Sequence, residues 1–373
     1  MDVLILSIGF RPNIGGLETH LTDLTNELAK KLKVMVVTLS PLTTKIEYKI
    51  IEKSKNLLIW RVPWWGGGLF YKLMSYPFLQ FLYLMPPLTL GLFLALLKYP
   101  SIRVIHAQGF SGVIPAVFLG KIFAKRVIVS THYVYHFKNN FLSRFAKLVF
   151  GMADRVLCVS LPSRDEMLEL GIPEEKLGRC AYWVDLDRFR PTDKKKAKKA
   201  LGWPDVFSVM FVGRLVAEKG VRELLEAVPL FSKTIQVYIV GDGPLRDEVL
   251  RAQKKNPNLH FLGKIKNELT PIYYSASDLV VVPSYEETLG KVSMEAFACG
   301  TPVVASSAGG IKEVVNESVG ILIDVKPKKI AAAVNKLYKN RQLYRKLQKK
   351  TRAHVQKYYS KRNVKFFLQE YAI

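Results

Sequence analysis

The strongest constraint on this chain is an alternation of short apolar runs with helical stripes, and it occurs in two series. VLILSIGF at 3–10 is almost continuously apolar, the pattern of a strand buried on both faces of a parallel sheet. After the glycine loop RPNIGG, Leu17, Leu21, Leu24, Leu28 and Leu32 recur at steps of four and three, which is one face of a helix. KVMVVTLS at 33–40 supplies the next strand and completes a βαβ unit. The series continues through VIHAQ (104–108), a helix over SGVIPAVFLGKIFA, RVIVST (126–131), a helix near 139–151, RVLCVS (155–160) and a helix from Pro162. A second series opens with SVMFVG (208–213) and runs through VRELLEAVPLF, IQVYIVG, PLRDEVLRAQKK, LHFLG, a helix near 267–276, DLVVVPS and PVVAS.

The expected fold is therefore α/β, with two Rossmann-like, doubly wound domains facing a central cleft. A length of 373 residues fits two cores. The first domain is expected over 1–190, the second over 191–355. DKKKAKKALGWP reads as a linker between them, and a C-terminal helix within 356–373 packs back toward the first domain. Open parallel sheets gather helix N-termini at their C-terminal edges, where phosphate chemistry is favoured.

Charge adds a second constraint. The 56 Lys and Arg against 31 Asp and Glu give a net charge of +25, which points to a polyanionic partner: nucleic acid, an anionic membrane surface or a phosphorylated substrate. KKKAKK (194–199) and YRKLQKKTR (344–352) read as solvated surface. The uneven part is different in kind: between Lys53 and Ala153 stand 12 Lys or Arg and no acid. Within it, Leu73 to Leu97 is a run of 25 uncharged residues, long enough to cross a bilayer. Pro86 and Pro87 interrupt it, and Pro77 and Gly91 weaken it further, so two short helices are predicted, partly on the domain and partly in a membrane interface. Phe78, Phe81, Leu82 and Tyr83 are the candidate interfacial residues. Cys158, Cys180 and Cys299 lie in apolar surroundings without metal or pairing spacing, as in a reduced cytosolic protein, and MDVLILSIGF reads as a first strand rather than a signal peptide.

Five motifs fall at strand-to-helix turns. NIGGLETH (13–20) lets backbone amides at Gly15 and Gly16 approach an anion, or is simply a tight turn. GRLVAEKG (213–220) puts Arg214 and Lys219 at the edge of the second sheet, where Arg can fork two phosphate oxygens and Lys adds a point charge; from these residues alone a surface salt bridge is the simpler reading. GDGP (241–244) is most simply a turn. SYEETLGKVSMEAFACG (284–300) carries Glu287 before a helix and Glu295 inside it, eight residues on, and a glutamate facing a cleft needs donors such as sugar hydroxyls. His132, directly after an apolar strand, stands at the edge of the first sheet.

In this order, NIGGLETH, ADRVLCVS (153–160), VDLDRFRP (184–191), GRLVAEKG, GDGPLRDEV, FLGKI (261–265), the E-x7-E stretch and PVVASSAGGIKEVV (302–315) resemble the retaining glycosyltransferases of family 4, which have the GT-B fold. The resemblance covers nearly the whole chain. It implies that Arg214 and Lys219 hold a donor diphosphate, that Glu287 contacts donor-sugar hydroxyls, and that Glu295 binds the nucleoside ribose. It further implies that His132 sits beside the transferred sugar and phosphate, and that Gly15, Gly16, Leu289 and Gly290 line the phosphate and acceptor side. Glu286 matches no site position. Two departures stand out: Ala181, Tyr182 and Trp183 replace the usual Asn-Gly turn, and Leu289 stands where phenylalanine is common. Asp185 and Asp187 resemble a metal-binding Asp-x-Asp, but they fall in the Val-Asp segment. Since two cations can neutralise a leaving diphosphate, no metal and no other cofactor is expected.

The expected reaction is sugar transfer from a nucleotide diphosphate sugar to an acceptor hydroxyl with retention. NIGGLETH and HAQGFSG are similar to lipid-directed members, and the acid-free span suits an anionic lipid or lipid-linked acceptor, with the protein peripheral on the cytoplasmic membrane face. A soluble sugar or polysaccharide acceptor is the alternative. A nicotinamide-dependent oxidoreductase would need GxGxxG after the first strand, and GFRPNIGG does not match. No nucleic-acid recognition module is apparent, so nucleic acid is not an expected partner.

Overall fold

The structure, a computed structural model, describes all residues except 14, 43–46, 67, 74–75, 138–140, 181 and 373. The chain divides into two compact units, 1–181 with 362–373, and 182–361.

The first unit is built on an eight-stranded sheet in the order β3-β4-β2-β1-β5-β6-β7-β8. Its strands are β1 (Val3–Ser7), β2 (Val34–Leu39), β3 (Ile51–Lys53), β4 (Leu57–Val62), β5 (Val104–Gln108), β6 (Arg126–Thr131), β7 (Arg155–Cys158) and β8 (Leu177–Arg179). All pairs are parallel except β3 with β4. Helices α1 (Gly16–Leu28), α2 (Gly68–Leu73), α3 (Pro77–Lys98), α4 (Phe110–Ile122), α5 (Phe141–Gly151) and α6 (Leu161–Glu169) precede the domain exit. Strands β1 and β2 are buried at every position, as expected of a central parallel sheet with helices on both faces.

The pair β3 and β4 is absent from the sequence reading because a charge interrupts its apolar pattern. Arg61 lies in β4 and is 2% exposed; it donates to the carbonyls of Arg11 and Lys49 and to Glu52 Oε2 at 3.1 Å. The expected break at the proline pair does not occur either. Helix α3 runs unbroken through Pro86 and Pro87. An internal proline costs about 3 kcal/mol or more, and the buried stripe of Leu84, Leu88, Leu92, Ala95 and Leu96 outweighs it: about 1.5–3 kcal/mol accrues per fully buried leucine.

The second unit has a six-stranded, all-parallel sheet in the order β11-β10-β9-β12-β13-β14. Its strands are β9 (Ser208–Val212), β10 (Gln236–Val240), β11 (Leu259–Gly263), β12 (Leu279–Val282), β13 (Val303–Ser306) and β14 (Gly320–Ile323). The helices are α7 (Lys194–Ala200), α8 (Val221–Ala227), α9 (Arg246–Lys255), α10 (Thr270–Ala276), α11 (Lys291–Ala298), α12 (Ile311–Val314), α13 (Pro327–Lys339) and α14 (Arg341–Tyr358).

The segment read as a solvated linker is structural. Asp193 caps α7 by accepting from the Lys196 N–H at 2.9 Å. Lys194 and Lys198 reach the two oxygens of Asp278 at 2.9 and 2.8 Å, and Lys198 is only 3% exposed. Burial raises the Asp278 pKa, but the two lysines outweigh it and hold the carboxyl below its usual range. The stretch after 181 also belongs to this unit rather than to the first. Val184 donates to the Tyr359 carbonyl, and Arg352 donates to the carbonyls of Leu186, Phe189 and Ala298. Arg352 thereby takes one charge of the second basic run out of solvent.

The last helix, α15 (Val364–Glu370), is part of the first unit. Glu370 accepts a forked pair of bonds from Arg155 at 2.8 and 2.7 Å, and Tyr371 is hydrogen-bonded to His106 Nδ1 at 2.5 Å. His106 is fully buried, with Nε2 on Ser130 Oγ at 2.7 Å. Burial first, and then its neighbour His132, lower the His106 pKa to about 3. Between that value and the ordinary 6.5, the unfolded chain binds a proton that the folded chain does not, so stability is lost as pH falls through this window. The expected slope is about 1.4 kcal/mol per pH unit for this group. His106→Gln should flatten the fall of the unfolding midpoint between about pH 6.5 and pH 4, measured by urea titration across pH; an unchanged slope would show that His106 does not set it.

Candidate functional site

In the second unit, four strand-to-helix loops gather at the C-terminal edge of one sheet, and backbone contacts lock them together. The 213–220 loop follows β9, the 241–245 loop β10, the 283–290 loop β12 and the 307–310 loop β13. Leu215 donates to the Asp242 carbonyl, and Tyr285 donates to the Glu218 carbonyl at 2.8 Å. Two glycines make the closest approaches possible. At Gly220 (φ 65°) a Cβ would overlap the Pro283 carbonyl, and at Gly309 (φ 53°) it would overlap the Glu287 carbonyl. The loops that carry Lys219 and Glu287 are thus fixed by positions that only glycine fills.

Lys219 Nζ meets Glu287 Oε2 at 2.6 Å, and Ser284 Oγ lies 3.4 Å from the same oxygen. The pair is about one-fifth exposed, at 23% and 19%. The Arg214 side chain is exposed, and no ion pair to it is found among the described residues. Leu289 is 2% exposed and Gly290 (φ 81°) is the N-cap of α11, the helix that carries Glu295 about one turn and a half on. The Glu295 Oε2 accepts from the Tyr274 hydroxyl at 2.8 Å, and Tyr274 is wholly buried. Ser293, on the first turn of α11, has a buried Oγ without a hydrogen-bond partner. Arg214, Lys219, Glu287, Leu289, Gly290 and Glu295 therefore belong to one edge of one sheet and the helix that leaves it.

The remaining sequence candidates lie in the first unit. Gly15 is extended and precedes α1, and Gly16 is its first residue. The carboxylate of Glu18 folds back over this turn, with an oxygen 2.8 Å from where a Cβ on Gly9 would stand. The α1 N-terminus thus faces an acid from its own first turn. His132 follows β6 and is 2% exposed; Nε2 is bonded to Gln108 Oε1 at 2.8 Å, and the ring centre is 6.4 Å from that of His20. Burial lowers its pKa to about 3, so the imidazole is neutral at physiological pH.

The aspartates of the DLD stretch have local work. Asp185 Oδ1 accepts from the N–H groups of Asp187 and Arg188, and Asp187 pairs with Lys361 at 3.1 Å. Tyr182 and Trp183, which depart from the usual turn, are buried in the second unit, while Ala181 lies outside the described residues. Sequence reasoning missed Tyr274, Gln108 and Gly309. PIYYSAS has no local pattern that marks one tyrosine as a partner of an acid 21 residues away.

Residues 14–188 match the model of Glycosyltransferase Family 4, and residues 193–354 that of Glycosyl transferases group 1. A D-inositol 3-phosphate glycosyltransferase from Geodermatophilus obscurus is 38% identical over 178 residues, which is 43% of this chain and 40% of the relative. A GDP-mannose-dependent alpha-mannosyltransferase from Corynebacterium glutamicum is 37% identical over 182 residues, 48% of this chain and 42% of the relative. The chain spans about half the length of the curated relatives it matches. Over the whole chain, a sucrose-phosphate synthase from Thermosynechococcus elongatus superimposes with a TM-score of 0.82 at 22% identity, covering 100% of this chain and 98% of that one. Anabaena HepE in complex with UDP-glucose does so at 0.76 and 20%, covering 100% and 98%. These likenesses establish the two-domain fold, and with the two family models, which together account for most of its length, the chain belongs to the GT-B glycosyltransferases of family 4 and group 1.

Proposed function

We propose that the protein transfers a sugar from a nucleotide diphosphate sugar to an acceptor hydroxyl with retention at the anomeric carbon. The observation that carries this reading is the Lys219–Glu287 pair at the edge of the second sheet, in loops that also carry Arg214 and that lead into α11, the helix of Glu295. A diphosphate leaving group gains negative charge as the glycosidic bond breaks, and preorganised cations stabilise that charge. Lys219 needs only to turn from a carboxylate to a phosphate. An accessible ion pair is worth about 0–1 kcal/mol, less than a bond between a charged group and a diphosphate, so the exchange is favourable. Glu287, once released, accepts from donor-sugar hydroxyls, while Glu295 accepts from the ribose. With two cations on the diphosphate, the reaction needs no metal ion. The name of the GDP-mannose-dependent relative is consistent with a nucleotide sugar donor.

A lipid or lipid-linked acceptor at the cytoplasmic membrane face is the favoured acceptor reading. The outward side of α3 supports it: Leu79, Leu82, Leu90, Phe93, Leu94 and Leu97 are exposed in one stripe opposite the buried one. Phe118 and Ile122 of α4 extend the patch, joined through the Phe93–Phe123 ring contact at 6.0 Å. Of the residues picked from sequence, Leu82 faces outward, Tyr83 packs partly against the core, Phe81 is half-buried with its ring 6.1 Å from that of Phe110, and the Phe78 side chain lies outside the described residues. The helix is long enough to cross a bilayer, but its inner stripe is committed to the sheet, so it lies on a membrane rather than through one. Anionic lipid is the chemistry that complements 12 cations and no acid over 53–153, at about 1 kcal/mol for each cation near the surface.

Three measurements test these readings. A thermal-shift panel of UDP-, GDP- and ADP-sugars in EDTA should give one stabilising donor whose effect is lost in Glu287→Ala and Glu295→Ala, and NMR of the product should show the donor's anomeric configuration; no stabilising donor, or inversion, would overturn the donor or the retention claim respectively. Co-sedimentation with phosphatidylglycerol-containing vesicles should fall about tenfold or more when Leu90, Phe93, Leu94 and Leu97 are all replaced by serine, since each inserted side chain is worth up to about 1.5–3 kcal/mol. Equal sedimentation of the two proteins would leave a soluble acceptor as the reading.

A further inference from the structure

Three exposed aromatic side chains stand outside the α3 stripe, at the edge of the first sheet where β4 ends and α3 and α5 begin. Phe141, the first residue of α5, is 83% exposed; Trp65, three residues after β4, is 70% exposed; Tyr76, the N-cap of α3, is exposed as well. Each is displayed by anchored backbone. The Ser40 hydroxyl, directly after β2, accepts from the Trp64 N–H at 2.9 Å and donates to the Trp64 carbonyl at 2.7 Å. At Gly66 a Cβ would overlap the Leu42 backbone. The Tyr76 N–H donates to the Leu73 carbonyl at 2.9 Å. Between His132 and α5, Glu166 of α6 accepts from the N–H groups of Tyr135 and Phe137 at 2.7 and 3.2 Å. Single exposed apolar side chains are ordinary, but here Leu142 and Leu148 continue the row along the outer side of α5. Lys72, Arg144 and Lys147 are exposed among them, and all three aromatics fall within the span that holds no acid.

From this arrangement we propose that Trp65, Tyr76 and Phe141 seat the edge of the first sheet that carries His132 at the head-group level of an anionic bilayer. The inference rests on the membrane reading above, which concerns the outer side of α3, and adds which end of that face meets the bilayer boundary. Helix α3 packs on α4 and α4 on α5, so the row on α5 adjoins the apolar stripe and extends it to the edge. Rings of Trp and Tyr are apolar with one polar tip, and they settle where hydrocarbon meets head groups. The cations beside them are drawn to anionic head groups, with no carboxylate nearby in sequence to repel the surface. Drawing a lipid out of a bilayer exposes its chain to water, at a cost that grows with each methylene. An edge seated among the head groups meets the acceptor where it already lies.

Cys158, Cys180 and Cys299 are buried, so one introduced surface cysteine can be labelled selectively with an environment-sensitive nitrobenzoxadiazole dye. Labelled Trp65→Cys, Tyr76→Cys and Phe141→Cys should each brighten severalfold and shift to the blue on vesicles of mixed phosphatidylglycerol and phosphatidylcholine, and stay dim on phosphatidylcholine alone. Asn26→Cys, exposed on α1, should stay dim throughout, and Leu94→Cys reports the α3 face. Replacing Trp65, Tyr76 and Phe141 together by serine should weaken binding to the mixed vesicles about tenfold or more in co-sedimentation, with the thermal midpoint recorded to show that the fold is kept. If that triple variant fails to fold, the three labelled single variants carry the test. A bright signal at Leu94 with dim signals at 65, 76 and 141 overturns the inference and spares the α3 reading. Failure of the wild type to sediment with the mixed vesicles overturns the membrane reading and this inference with it.

Discussion

Burial of parallel strands on both faces is the constraint on which everything else in this molecule depends. Because each strand in the second sheet runs the same way, every connection at its C-terminal edge must leave toward a helix and return from the far end. Loops separated by more than 80 residues, 213–220 and 307–310, are thereby delivered to one edge. Once there, they touch through backbone. Gly220 against Pro283 and Gly309 against Glu287 are contacts in which a single Cβ would overlap a carbonyl. The charged residues then require little local support, since their loops are already fixed.

That economy explains how opposite charges are managed. Lys219 and Glu287 neutralise one another at 2.6 Å, and Glu295 is partnered by Tyr274. Arg214 remains exposed. A site organised in this way is close to charge-balanced and offers both donors and acceptors. In the first unit the polar groups are treated differently: His106 and His132 are buried, neutral, and bonded to Tyr371, Ser130 and Gln108. The His106–Tyr371 bond ties the end of α15 to the sheet, and the other two join β5 to β6 and the residue that follows it.

Much of this was legible in sequence, and the failures share a cause. Apolar runs such as VLILS and VIHAQ announce buried strands because few other local structures tolerate them. Patterns with a charge or a breaker inside them mislead. Arg61 conceals β4, because a guanidinium that meets two carbonyls and a carboxylate is as well buried as a leucine. Pro86 and Pro87 imply a break that a long buried leucine stripe overrides. KKKAKK looks solvated until Asp278, 80 residues from Lys198, comes to meet it. In each case the deciding partner is distant in sequence, so no local window contains it.

The sequence by itself determined the two α/β series, the order of the motifs, the family they resemble, and the placement of Arg214, Lys219 and Glu287 after strand ends and of Glu295 in the helix that follows, because periodicity and turn chemistry are local properties. Tertiary structure alone decided which of these charges pair, which tyrosine holds Glu295, to which unit 182–190 belongs, and that the outer face of α3 is left apolar and uncovered by the rest of its unit. Those outcomes depend on long-range contacts whose geometry exists only after each sheet has formed, when burial limits an ordinary lysine, tyrosine or histidine to the few partners that packing brings to it.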